Sequence, residues 1–226
     1  MTQKALIFDS GTLINLTMNC LLYILPELKK IFKGKLLITS AVKYEIIDRP
    51  MNIERFEFEA LQLQNLIDIG VLEMPESIGI SGEEIKKQTN ILLDKANHFL
   101  QANGQWISIV SEAEISCLAL SDECNAKGME TLIGVDERTT RLLAEKPENL
   151  EQLMSDKLHQ RVRLVAEEFH IFSKYRFIRS SELVFVACKK GLLNLKGNKV
   201  LEAVLLATKF KGSAISFDEI NELKKL

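Results

Sequence analysis

The chain is expected to fold as an α/β protein with a mainly parallel central sheet and a helical C-terminal layer. Three observations lead there. Short apolar runs alternate with helical patterns through residues 1–145, two of those runs end in an aspartate, and residues 146–226 carry mostly helical periodicity without a linker or repeat. At 226 residues and 46% hydrophobic composition, the chain can bury one substantial core. Residues 146–226 are therefore expected to complete the same domain as residues 1–145.

Taken in order, "KALIFDS" is an apolar run that delivers Asp9 at its carboxyl end, as a buried strand would. "TLINLTMNCLLYILPELKKIF" follows with helical character and an expected break near Pro26. "KLLITSAVKYEIID" predicts a strand over Leu36–Ile38, then Thr39 or Ser40 as the N-cap of a helix carrying Glu45 in its second turn. "IERFEFEALQLQNLIDIGVLEMPE" predicts a helix stopped near Gly70 and a short strand around Val71–Glu73. In "SGEEIKKQTNILLDKANHFLQANG", Ser81 and Glu84 form a capping pair, and the apolar spacing predicts one helix running to Gly104.

"SEAEISCLALSDE" is a mostly apolar helix with an acidic first turn, at Glu112 and Glu114. Acids there complement the helix dipole and cap free N–H groups, an effect of about 0.3–1 kcal/mol each. They also suit a second task, if partners exist elsewhere. "TLIGV" predicts a strand ending at Asp136, and a helix resumes with Arg138 and Arg141. The remainder predicts a helix over "LEQLMSDKLHQRVRLVAEEF", a short strand in "YRFIRS", helices in "SELVFVACKKG" and "KVLEAVLLATKFKG", and a last helix from Ser216.

A parallel sheet places its ligand site at the carboxyl ends of the strands. Asp9 and Asp136 end strands, while Glu45, Glu112 and Glu114 lie early in helices that begin on that edge. Five carboxylates are therefore expected to converge. Two of them at about 4 Å repel by about 4 kcal/mol at an effective dielectric of 20, which calls for protonation or a bound cation. Carboxylate and water oxygens suit Mg²⁺ or Mn²⁺.

"LIFDSGTLINL", "TSAVKYEI", "SEAEISCLAL" and "IGVDERTTRLLAE" together resemble the PIN-domain nucleases, in order and approximate spacing. The acidic helix is also similar to that of flap endonucleases, and "VACKKGLL" with the closing helices resembles the helical end of small prokaryotic PIN proteins. The resemblance implies a three-layer α/β/α PIN-like fold, with residues 1–145 as the nuclease core. It also implies a Mg²⁺- or Mn²⁺-dependent endoribonuclease with Asp9, Glu45, Glu112, Glu114 and Asp136 as catalytic metal ligands. Ser10 and Thr12 would then hydrogen-bond the carboxylates or a phosphate, and Glu137 stands where a second aspartate is usual. Arg138 and Arg141 are either solvated helix residues or groups that hold phosphate or steady a carboxylate.

Residues 146 to about 173 look like an insertion in that pattern. Lys157, Arg161, Arg163, Lys174, Arg176 and Arg179, interleaved with Tyr175 and Phe177, form a candidate RNA-binding surface; a solvated face is the plainer alternative. The partners implied are RNA, an antitoxin protein and a second copy of the chain; toxin, RNA-processing and RNA-decay roles all stay open. A catalytically silent PIN-fold scaffold is the alternative from another class.

Other classes fit less well. "FDSGTL" aligned on the D-x-D-G-T start of the haloacid-dehalogenase phosphatases has Phe8 and Ser10 where both acids belong. Neither a P-loop nor G-x-G-x-x-G is present, and His98, His159 and His170 lack ligand spacing. Net charge is -2, so any polyanion must use a local patch. Four scattered cysteines, no apolar span and no signal-like N-terminus predict a cytoplasmic protein with reduced thiols and no membrane partner.

Overall fold

The computed structural model describes residues 3–165 and 169–226. Its first half is built around β1 (Lys4–Phe8), whose "ALIF" is buried on both faces as a central parallel strand requires. Helix α1 (Ser10–Met18) follows directly, and α2 (Ile24–Phe32) follows a short break. That break lies at residues 19–23, where Cys20 takes a left-handed φ of 55°, and not at Pro26. Pro26 sits in the first turn of α2, where its missing N–H has no helical partner to lose.

Strand β2 (Lys35–Leu37) leads into α3 (Ser40–Lys43), capped by Thr39, and a π-helical turn over Tyr44–Asp48. Helix α4 (Glu57–Asp68) precedes a segment that makes one parallel bridge, Glu73 to Leu37. Helix α5 (Gly82–Asn97) carries the expected capping box at Ser81 and Glu84. It stops at Asn97, however, because Leu100–Ala102 is drawn into a strand, β3. Gly104, at a φ of 78°, turns the hairpin to β4 (Gln105–Trp106) and does not end a helix.

Helix α6 (Glu112–Ala126), β5 (Glu130–Gly134) and α7 (Arg138–Glu145) appear as the sequence predicts. The long helix expected over residues 150–169 is shorter. Helix α8 (Glu148–Leu158) ends with His159 in a left-handed conformation, and Val162–Leu164 becomes strand β6. A 3-10 turn over Phe169–Phe172 comes next, and the rest of that expected helix, residues 166–168, lies outside the described residues. Strand β7 (Phe177–Ile178) and helices α9 (Ser180–Lys189), α10 (Val200–Phe210) and α11 (Phe217–Lys225) complete the chain.

Two sheets result. The larger has the order β2-β1-β5-β7 and is parallel throughout. From β1 the chain first builds one way, to β2, and later the other way, to β5 and β7; the order therefore reverses beside β1, the usual place for a ligand crevice. The smaller sheet is antiparallel, β4-β3-β6, so the segment resembling an insertion is stitched to β3 by main-chain bonds. A contiguous cluster of buried apolar side chains runs from Ala5 to Leu193, with Leu205, Ile215 and Ile220 in a smaller one. Among the described residues, no helix is long and apolar enough to cross a membrane.

Candidate active site at the switch between β1 and β5

The end of β1 is pinned to the end of β5 by the Asp9 N–H, which donates to the Gly134 carbonyl at 2.9 Å. Asp9 then caps α1, and its side chain is 3% exposed. Among the described residues its oxygens receive only long bonds, from the Gly11 N–H at 3.2 Å and the Ser10 hydroxyl at 3.4 Å. Burial first, then the charges of Glu114 and Glu45, push its pKa up to about 7. The local donors do not offset those effects.

Glu114 reaches this place through two separate devices. It is the third residue of α6 and closes a capping box, with Oε2 accepting from the Ser111 N–H at 2.7 Å. Its other oxygen, Oε1, accepts from the Thr140 hydroxyl of α7 at 2.6 Å, and the residue is 9% exposed. Helix capping and delivery of a carboxylate to the site are thus one geometry. Glu112 is exposed, because two helical positions diverge by roughly 200°.

Glu45 belongs to the π-helical turn and is half-buried. Its helix is fixed against α6 by the Thr39 and Ser116 hydroxyls, 2.6 Å apart. Beyond it opens a cleft of about 960 Å³ that Glu45 and Glu112 line together with Thr39, Tyr44, Arg49 and Lys86. Glu112 therefore faces the cleft while Glu114 faces Asp9.

Asp136 is 4% exposed but held differently. Its Oδ1 accepts from the Ser180 N–H at the start of α9 at 2.8 Å and from the Ser213 hydroxyl at 3.0 Å. Its Oδ2 is buried with no hydrogen-bond partner among the described residues, as are the Thr12 and Ser180 hydroxyl oxygens. Thr12 thus does not bind a carboxylate here, whereas Ser10 does.

Other expected residues take structural posts. Glu137 is exposed and caps α7, accepting from the Thr139 hydroxyl at 2.9 Å, so it adds no further acid to the interior. Arg141 pairs with Glu145 at 3.1 Å along its own helix, and Arg138 is exposed. Lys157, Arg161, Arg163 and Arg176 are exposed, and Lys174 pairs with Asp122 at 2.7 Å. Arg179 is not a surface cation: it is 6% exposed, with Glu182 at 2.7 Å, Glu219 at 2.8 Å and the Ala214 carbonyl at 2.9 Å. Tyr175 is likewise unavailable for stacking, being buried with its hydroxyl on Asp122 at 2.9 Å.

As placed, no three His, Cys, Asp or Glu side chains among the described residues are gathered into a group that could hold a metal ion. The donor chemistry nevertheless fits one. Asp9 is a carboxylate lifted first by burial and then by the charges of Glu114 and Glu45, and a hard divalent cation would relieve that repulsion. The residues that sequence reasoning missed are Thr140 and Ser213, which act through their hydroxyls, and Ser180, which acts through its backbone N–H; none has a local motif and each acts across a long stretch of chain. No family model matches this chain, and neither a curated protein nor a solved structure matches it.

Proposed function

We propose that the protein is a metal-dependent ribonuclease with a three-layer α/β/α PIN-like fold, cleaving phosphodiester bonds in RNA. The observation that carries this reading is Asp9: a buried carboxylate at the switch point, pushed up to about 7 by burial, Glu114 and Glu45. Further support comes from the parallel order β2-β1-β5-β7, with the Glu73 bridge outside β2. Asp9, Glu45 and Glu114 would hold Mg²⁺ or Mn²⁺, with Glu112 and Asp136 as the remaining acids of the set. The ion, when bound, supplies an activated water and neutralises charge on the phosphate. Thr140 keeps Glu114 directed inward, Ser10 steadies Asp9, and the adjoining cleft admits a nucleotide strand.

A second reading, a silent PIN-fold scaffold, is favoured by one observation: Asp136 already spends Oδ1 on Ser180 and Ser213. Cleavage of single-stranded RNA in Mn²⁺ by wild type, Asp9→Asn and Glu114→Gln separates the two. Loss of cleavage in both variants supports the nuclease. Equal cleavage by all three assigns the activity to a contaminant and leaves the scaffold.

A further inference from the structure

We propose that the outer face of the small antiparallel sheet is a docking platform for single-stranded RNA, distinct from the acidic site. The identification of the ligand as RNA rests on the ribonuclease reading; the platform itself rests on the sheet. Gln101, at the centre of β3, pairs with Trp106 on one side and Arg163 on the other. Directly opposed residues project from the same face, so indole, amide and guanidinium form one row across three strands. The neighbouring positions Leu100, Ala102 and Val162 are buried. The row is thus the outward side of a sheet whose other side is core at β3 and β6, while Gln105 of β4 is exposed.

Trp106 is the only tryptophan of the chain and is 46% exposed. The His98 ring braces it edge-on, with centroids 5.1 Å apart. The hairpin tip is tied toward β6 by Asn103, whose amide donates to Gln160 at 3.1 Å. An aromatic on a twice-fastened hairpin is a prepared stacking surface. Arg161 and Lys157 lie exposed at the same end of β6, at its start and in the last turn of α8. Among the described residues, Glu151 accepts from the Leu164 N–H at 3.1 Å and Asp156 from Gln152 at 2.8 Å, and Asp94 lies 3.4 Å from His98.

These groups match the parts of an unpaired nucleotide. The indole takes a base face, Gln101 offers a donor and an acceptor to a base edge, and Arg163, Arg161 and Lys157 suit phosphates. A duplex, whose bases are already stacked, has no use for the indole. Trp106 also lies only a few residues before the helix that carries Glu112 and Glu114, a reach of at most about 20 Å of extended chain. RNA held on the platform is therefore within a short strand length of the acidic cluster.

Because no other tryptophan contributes, indole emission reports on this face alone. A short unstructured oligouridine RNA, titrated in EDTA so that cleavage plays no part, is expected to quench that emission. Trp106→Ala is expected to weaken binding about tenfold and Trp106→Phe to retain most of it. Arg163→Ala is expected to lower the slope of log K against log salt by about 0.7. RNA binding that leaves the emission unchanged, equal affinity for Trp106→Ala, or no RNA binding at all overturns the platform. Cleavage in Mn²⁺ is scored separately with Asp9→Asn, so either reading can fail without the other.

Discussion

Asp9 and Asp136 occupy equivalent positions, each just past the end of a central parallel strand and each almost wholly buried. Their surroundings differ in what answers the charge. Asp136 receives a backbone N–H from the start of α9 and a serine hydroxyl, both at normal hydrogen-bond length. Asp9 receives two long bonds and faces Glu114 and Glu45. One acid is built into the scaffold by donors, while the other is left in electrostatic need. Position on the sheet brings a carboxylate to the edge; the partners supplied by later segments decide whether its charge is answered by donors or left against other acids.

The sharpest way to break this contrast is Asp9→Asn. It is expected to lower Mn²⁺-dependent RNA cleavage on the order of 10³-fold, or about 4 kcal/mol of barrier, in a gel assay. Unaltered cleavage would remove Asp9 from the chemistry. The pH dependence of the metal-free protein is next in size. Because the folded Asp9 titrates near 7 and the unfolded one near 3.8, its contribution is fully present below about pH 4 and is lost as pH rises through 7. Urea unfolding of wild type relative to Asp9→Asn should therefore show a relative loss on the order of 2–4 kcal/mol between pH 4 and 8. A difference that does not change with pH contradicts the buried, repelled state.

Mn²⁺ is expected to raise the melting temperature of wild type, with about 2.7 kcal/mol gained at 100 times its Kd, and not that of Asp9→Asn. A flat metal titration of the wild type argues for the scaffold reading. Asp136→Ala, in contrast, is expected to cost about 2 kcal/mol without metal, since the Ser180 N–H and the Ser213 hydroxyl lose their acceptor. Stability equal to wild type would place Asp136 with Asp9. The smallest effect is expected from Glu112→Gln: under about 0.5 kcal/mol of stability, with far less loss of cleavage than Glu114→Gln. Equal loss in both would mean that the exposed acid reaches the site after all.

The sequence shows what is local. "KALIFD" and "TLIGVD" announce two buried strands ending in acids, and Ser81 with Glu84 marks a helix start that the structure reproduces as a capping box. The small sheet left no such mark. Strand β3 is three residues long and gains its meaning only from β6, so Phe99 and Leu100 continue a helical spacing on paper that the chain abandons at Asn97. Within the site, the acids are visible but their keepers are not. Nothing near Ser213 or Thr140 in sequence signals a carboxylate, because each meets its acid only through the tertiary fold. Arg179 shows the converse: a residue in a basic, aromatic stretch whose charge is consumed by Glu182 and Glu219.

The order in which the sheet is assembled bears on the life of the newly made chain. β1 is made before the strands that flank it, and β2 can cover one of its edges soon after. Its other neighbour, β5, is not complete until Gly134 has been made. At synthesis rates of ~5–20 residues per second, an apolar strand waits on the order of ten seconds with one row of peptide groups unpaired. During that interval "ALIF" is an open template for another nascent chain on the same message, and a chaperone that shields β1 and β2 would act when the strand is most exposed.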